Sequence, residues 1–275
     1  MKSLSDTALK VKIFADGADI AGMLKAAENP LISGFTTNPT LMRKAGVNDY
    51  EAFARNALRA ISDKPISFEV FSDDFDEMYE QALRIASWGD NVFVKIPVTN
   101  TRGDSSVALL ERLVAEGVRA NVTALFTEAQ VQAVSDVLAD AAPCNISVFA
   151  GRIADAGYNP LPIMKRALKI MRPYPNQQLI WASPREVFNV VQAHEIGCHI
   201  ITVTSDLIAK LASLGKDLTQ FSLETVKMFR NDADSAGFSL SRPIADPLAE
   251  KTLAGAGITM PLGTNGEEAT PALVS

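Results

Sequence analysis

Residues 92–98 read Val-Phe-Val-Lys-Ile-Pro-Val, a short run that is apolar at every position but one. A strand with one face in water alternates apolar and polar residues. A continuous apolar run is buried on both faces, as in a parallel sheet covered by helices. Seven further runs share this character: 11–15, 33–36, 66–71, 120–125, 145–150, 179–182 and 199–203. They are rich in Val, Ile, Phe and Thr, the residues that suit a pleated surface. Helix signals fill the gaps. Thr127-Glu-Ala-Gln130 has the form of a capping box and precedes Val131, Val134 and Leu138 at helical spacing. Ser183-Pro-Arg-Glu186 has the same form, with Pro184 at a first helical position and Gly197 at the far end. Val107, Leu110 and Val114 form a stripe that stops before Gly117. Eight strand–helix units in one direction predict an α/β chain closed into a single (β/α)8 TIM barrel. An open doubly wound sheet is the structural rival. It usually carries a Gly-rich first turn for phosphates, and the sequence has none.

Composition agrees with one large core. The chain has 275 residues, 47% hydrophobic and 21% charged, which excludes intrinsic disorder. No apolar run approaches the roughly 20 residues of a membrane span. The opening residues carry no hydrophobic stretch behind their charges, so the expectation is a cytoplasmic chain without a secretory signal. Cys144 and Cys198 lie in apolar surroundings and read as buried thiols of a reducing compartment. A net charge of −6 argues against a general nucleic-acid binder, so an anionic ligand needs a local cluster of cations. After Phe238 the composition shifts: Pro243, Pro247, Pro261 and Pro271 alternate with Gly255, Gly257, Gly263 and Gly266. The expected organisation is a barrel over 1–238 and a tail over 239–275. That tail is either loosely ordered or an arm on a neighbouring subunit, built on Leu248, Leu253, Ile258 and Met260.

The functional signal is a set of polar residues inside apolar runs. Lysine is almost never buried without a reason. Lys95 stands within residues 92–98, and a desolvated amine suits Schiff-base chemistry on a ketone. A lysine paired with a carboxylate near the strand end is an equally open reading of this residue alone. The pattern recurs. Asp16 ends the first run, Asn38 follows the second and Glu69 lies in the third. Asn121 and Thr123 lie in the fifth, Ser147 in the sixth with Arg152 just past it, and Ser183 and Arg185 close the seventh. In a barrel these strand ends converge on one face, which is where barrel enzymes keep their active sites. Each residue has a plainer use, Asp16 and Asn38 as turn formers and Ser183 as a helix cap. Their conjunction on separate strands favours function. His194 and His199 are five apart with Gly197 between them, so one helix face cannot present both to zinc. Ala254-Gly-Ala-Gly-Ile has no strand before it and is not a nucleotide loop. Met164 and Met171 read as core.

Taken together, these segments resemble the transaldolase family. Phe14-Ala-Asp16-Gly-Ala-Asp19 is similar to its first strand and acidic turn, and Gly34-Phe-Thr-Thr-Asn-Pro39 to its Thr-Thr-Asn-Pro signature. Val94-Lys-Ile-Pro-Val-Thr99 is similar to its Schiff-base lysine motif, and Ser147-Val-Phe-Ala-Gly-Arg152 and Ala182-Ser-Pro-Arg185 to its phosphate-binding segments. The match runs in the family's order from about 11 to 237. The resemblance implies a class I aldolase that moves a dihydroxyacetone unit from fructose 6-phosphate or sedoheptulose 7-phosphate to an aldose phosphate. It implies Lys95 as the Schiff-base nucleophile and Asp16 as the proton acceptor. Glu69 and Thr123 would position a water, and Asn38 and Asn121 would hold the three-carbon fragment. Arg152, Ser183 and Arg185 would hold the phosphate, with Ser147 and Phe149 lining the same site. It implies no metal and no organic cofactor, sugar phosphates as the only partners beyond a homo-oligomer, and no membrane or nucleic acid. A smaller branch of the family releases free dihydroxyacetone. That branch carries Gln and Tyr where this chain has Glu69 and Phe149, so the two residues favour transfer, whereas the compact length is similar to the shorter branch. Ser-Pro-Arg at 183–185 departs from the Ser-Phe-Arg frequent in relatives. A binding barrel without catalysis is a third class, disfavoured by Lys95 together with Asp16.

Overall fold

The computed structural model describes residues 9–240. Their elements alternate in the order the sequence predicts. The strands are β1 (Lys12–Asp16), β2 (Ile32–Thr36), β3 (Ile66–Glu69), β4 (Val92–Pro97), β5 (Ala120–Leu125), β6 (Cys144–Val148), β7 (Gln177–Trp181) and β8 (Ile200–Thr204). They pair in parallel in sequence order, and β8 closes on β1 to complete an eight-stranded barrel. The helices are α1 (Ile20–Ala27), α2 (Pro39–Lys44), α3 (Tyr50–Ala60), α4 (Phe75–Ala86), α5 (Val107–Ala115), α6 (Glu128–Val137), α7 (Ala150–Asp155), α8 (Leu161–Met171), α9 (Phe188–Glu195), α10 (Ser205–Lys210) and α11 (Leu218–Ser235).

Two strands end two residues short of the sequence reading, and β4 and β7 end one residue short. The third ends at Glu69, and Phe71 is exposed. The sixth ends at Val148, because Phe149 turns the chain into α7. The capping box at Thr127 forms as predicted, with the Gln130 side chain returning to the Thr127 N–H. The one expected at Ser183 does not. Ser183 adopts φ 60°, a left-handed conformation that a helix cap does not use, and α9 starts only at Phe188. There the Asn189 side chain accepts the Arg185 and Glu186 N–H groups instead. In α5 the buried line is Leu109, Leu110 and Leu113, so of the expected stripe only Leu110 is buried.

Strand periodicity divides the barrel into an outer and an inner face. Outward residues such as Ile13, Phe35, Val94, Ile146 and Val203 join the main core beneath the helices. A separate small cluster of Phe14, Ile180, Ala182 and Ile200 plugs the barrel's interior, with Phe149 packed on it. Gly34 makes that plug fit: a Cβ there would stand 2.6 Å from the Phe14 ring. Toward the carboxyl ends the inward positions turn polar: Asp16, Thr36, Glu69, Lys95, Asn121, Thr123, Ser147 and Thr202. Cys144 and Cys198 are free buried thiols, and burial pushes both up to about 12.

The chain divides into two compact units between Lys216 and Asp217, ahead of the boundary expected at 238. In the second unit, α11 is capped by the Asp217 side chain on the Gln220 N–H. The tail over 241–275, with its candidate arm residues, lies outside the described residues. No described helix is long and apolar enough to cross a membrane.

Candidate active site

The strand register assembles the chemistry. Glu69 pairs with Lys95 across β3 and β4, and Lys95 with Asn121 across β4 and β5. Neighbours in parallel register point their side chains to the same face, here the interior. Lys95 Nζ therefore meets Glu69 Oε2 at 2.9 Å and donates to the Thr37 carbonyl at 2.8 Å. Lys95 is buried and is paired with a carboxylate, the pairing that the plainer sequence reading expected. Glu69 is fixed from behind by Tyr50, whose hydroxyl donates to the Glu69 carbonyl at 2.7 Å. Burial, first of all, pushes the Tyr50 hydroxyl above its usual range, so it stays a donor.

Asp16 comes from the end of β1. Thr36 donates to its Oδ1 at 2.8 Å, and Asn38 Nδ2 stands 3.5 Å from its Oδ2. Asn38 also caps α2, its Oδ1 accepting the Leu41 N–H at 2.9 Å, in keeping with its plainer reading as a turn former. Burial pushes the Asp16 carboxyl above its usual range. Lys95, the Thr36 hydrogen bond and Asn38 pull it back, and the Glu69 charge pushes it further up.

These residues open on a cavity of about 510 Å³ at the carboxyl ends of the strands. Asp16, Asn38, Glu69, Lys95, Thr123, Ser147, Phe149, Arg152, Ser183 and Arg185 all line it. Thr123 Oγ1 is buried there and has no partner among the described residues, so its hydroxyl is available to a ligand or a water. An irregularity between Val122 and Leu125, with Ala124 at φ 63°, interrupts the β5–β6 ladder at this point, and pairing resumes between Leu125 and Val148. Asn121 does not line the cavity. It is fully buried below it, donating to Ser67 Oγ at 3.0 Å and accepting from Ser147 Oγ at 2.7 Å.

Arg152 and Arg185 reach the opposite wall from α7 and from the loop after β7. Gly151 brings these segments together: a Cβ on it would lie 1.5 Å from the Ser183 carbonyl oxygen. Arg152 Cζ lies 5.5 Å from the centroid of the Phe149 ring. Arg185 is held by Asp155 through a bidentate pair of hydrogen bonds: its Nε donates to Oδ1 at 2.8 Å and its Nη2 donates to Oδ2. That contact, first through its hydrogen bonds, keeps the Asp155 carboxyl below its usual range.

The sequence reading missed Thr36, Thr202, Thr204 and Phe126, which line the cavity as well, and Asp155 behind Arg185. Thr36 and Thr202 carry the same signal that exposed Lys95, a polar residue in an apolar run. Threonine is also a good strand former, so the signal is quieter. His194 and His199 stay apart: Nδ1 of the first accepts the Lys10 N–H and Nδ1 of the second the Leu179 N–H. Among the described residues no group of His, Cys, Asp and Glu is arranged to hold a metal ion.

Fold and site define a class: a parallel (β/α)8 barrel whose carboxyl-end mouth holds a buried lysine–glutamate pair, a second carboxylate and two arginines. The description "Transaldolase/Fructose-6-phosphate aldolase" belongs to the family whose pattern matches residues 13–250. A "Probable transaldolase 2" of Listeria monocytogenes serovar 1/2a is 34% identical over 204 residues, covering 74% of this chain and 89% of its own length. A "Probable transaldolase" of Streptococcus pyogenes serotype M5 is 35% identical over 225 residues, 81% of this chain and 97% of its own. The chain belongs to the transaldolase/fructose-6-phosphate aldolase family and is an enzyme of that family. Among solved structures, an HpcH/Hpal aldolase/citrate lyase family protein from Burkholderia cenocepacia J2315 is similar at a TM-score of 0.52 and 13% identity, covering 82% of this chain and 97% of that one. At that identity the likeness concerns the fold alone.

Proposed function

We propose that the enzyme is a transaldolase acting on a ketose phosphate, fructose 6-phosphate or sedoheptulose 7-phosphate. The observation that carries this reading is the 2.9 Å contact of Lys95 with Glu69 inside the same cavity as Asp16. An amine attacks a carbonyl only after losing a proton, and the adjacent carboxylate is in reach to take it. Lys95 Nζ then adds to the ketose C2, and water leaves as the iminium forms. Asp16 removes the proton of the C4 hydroxyl, the C3–C4 bond breaks and its electron pair moves into the iminium. The aldose phosphate departs and an enamine remains on Lys95. Addition of the enamine carbon to a second aldose aldehyde, with the proton returned from Asp16, reverses these steps. Glu69 and Thr123 serve the water that leaves and returns. Arg152 and Arg185 suit the phosphate, since guanidinium groups match its oxygens in charge and shape.

Borohydride reduction in the presence of fructose 6-phosphate tests the assignment. A reduced three-carbon adduct on Lys95 is expected, and a label on any other lysine overturns it.

Release of free dihydroxyacetone is the rival outcome on the same scaffold. Compact length does not favour it, because relatives matched over 89–97% of their own length are named transaldolases. Phe149 lines the cavity that holds Lys95, its ring packed on Phe126 at 5.9 Å between centroids. Phenylalanine has no hydroxyl to anchor a water there. Phe149→Tyr should therefore raise dihydroxyacetone release relative to transfer. A wild-type enzyme that releases the unit as fast as it transfers it is a lyase.

A further inference from the structure

Asp16 sits at the end of a chain of hydroxyl groups that runs across three strands. Its register partners are Thr36 on β2 and Thr204 on β8, and Thr202 lies two residues earlier on β8, on the same inward face. Thr36 and Thr202 are both buried, and their Oγ1 atoms are 2.5 Å apart. A threonine hydroxyl has one hydrogen. Thr36 gives its hydrogen to Asp16 Oδ1, so in the Thr36–Thr202 contact the donor is Thr202.

We propose that Thr202 is a positioning residue for the base of the reaction: its hydroxyl donates to Thr36, Thr36 donates to Asp16 Oδ1, and Oδ2 is thereby the oxygen that takes the substrate proton. This rests on the transaldolase reading of the same site. Among the described residues Oδ2 has only the long 3.5 Å contact with Asn38, so it is the less committed oxygen. A proton arriving on Oδ2 leaves the donors on Oδ1 in place. The same hydrogen-bond directions then serve the ionised and the protonated acid, and nothing must reorganise during proton transfer. A hydroxyl that accepts one hydrogen bond donates a stronger one, so Thr202 reinforces the bond from Thr36 to the carboxylate. The charged groups acting on Asp16 are Lys95 from β4 and Glu69 from β3. From β2, α2 and β8 it is met by the uncharged Thr36, by Asn38 and, through Thr36, by Thr202.

The test is kcat/KM for ketose-to-aldose transfer against pH in Thr202→Val and Thr202→Ser, with borohydride trapping on Lys95 measured beside it. Loss of the hydroxyl weakens a bond to the ionised form of Asp16. The acidic limb of the Val variant should move to higher pH, with the rate on that limb falling roughly two- to tenfold. The plateau should fall less. Thr202→Ala should show the same movement, and Thr202→Ser, which keeps the hydroxyl, should return the limb toward that of the wild type. An unmoved limb, a loss equal at every pH, or a Ser variant that behaves like Val overturns the proposal. If the wild-type enzyme traps substrate on Lys95 and the Val limb stays put, this inference alone fails. If the wild-type enzyme does not trap on Lys95, the functional reading falls, and the role of Thr202 falls with it.

Discussion

Replacing Lys95 by Met removes the ammonium group and keeps most of the apolar stem. Glu69 is then left with a carboxylate that has lost its counter-ion, while its backbone remains tied to Tyr50. The side chains of Lys95 and Glu69 are only 9% and 17% exposed. Removing one partner of a fully buried pair costs about 3–5 kcal/mol, mostly because the other charge stays buried and uncompensated. Glu69 also faces a cavity of about 510 Å³, which has room for water to solvate it. The cost should therefore lie at or below that range's lower end, about 2–3 kcal/mol. In a barrel of this size that lowers Tm by roughly 5–10 °C. The double variant Lys95→Met/Glu69→Gln removes the stranded charge and should recover most of the loss, giving a coupling of about 1–3 kcal/mol. Thermal unfolding followed by circular dichroism, with urea titrations at one pH, measures the full cycle. A Lys95→Met variant as stable as the wild type, or a double variant that loses the sum of the single losses, would refute the reasoning. Both single variants should be inactive in transfer whatever their stability.

Asp16→Asn should abolish transfer, and it should also alter how stability depends on pH. Burial holds the native carboxyl above its usual value of 3.8, so between the two values the folded chain holds more protons than the unfolded one. The stability that Asp16 contributes is present below that value and is lost as pH rises through its native one. Asn cannot titrate, so Tm of the variant relative to the wild type should rise from pH 4 to pH 8; a constant difference would contradict this. Arg152→Ala should cost about 2–4 kcal/mol in kcat/KM for phosphorylated substrates and far less for unphosphorylated ones, and equal losses would make it a structural residue. Gly151→Ala should displace α7 from the loop after β7, since its Cβ cannot stand 1.5 Å from the Ser183 oxygen. A KM for phosphorylated substrate unchanged from the wild type would show that the two arginines do not depend on this close approach.

Ten of the eleven residues chosen from the sequence line one cavity, and the reason is physical. In a parallel barrel the inward face of every strand ends at the same mouth, so a polar residue late in an apolar run has one destination. Lys95 was conspicuous because lysine so seldom lies in such a run. Asn121 satisfied the same rule and yet lies beneath the cavity: Thr123, two residues further along the same face of β5, takes the place at the mouth, and Ser67 and Ser147 occupy the Asn121 amide. Ser183 failed as a helix cap because its backbone is left-handed, which no local pattern of Ser, Pro and Glu reveals. Asp155 is separated from Arg185 by 30 residues and meets it only where Gly151 permits the contact.

The sequence by itself determined the eight parallel strands, their order, the convergence of the polar strand ends on one face and the lysine among them. These follow from burial and periodicity, which act over a few residues at a time. The tertiary structure decided which of those groups touch. Barrel closure and register put Glu69 beside Lys95, joined Thr202 through Thr36 to Asp16, and left Oδ2 of that carboxylate lightly held. Hydrogen bonds depend on tenths of an ångström between segments far apart in the chain, and only the closed barrel sets distances on that scale.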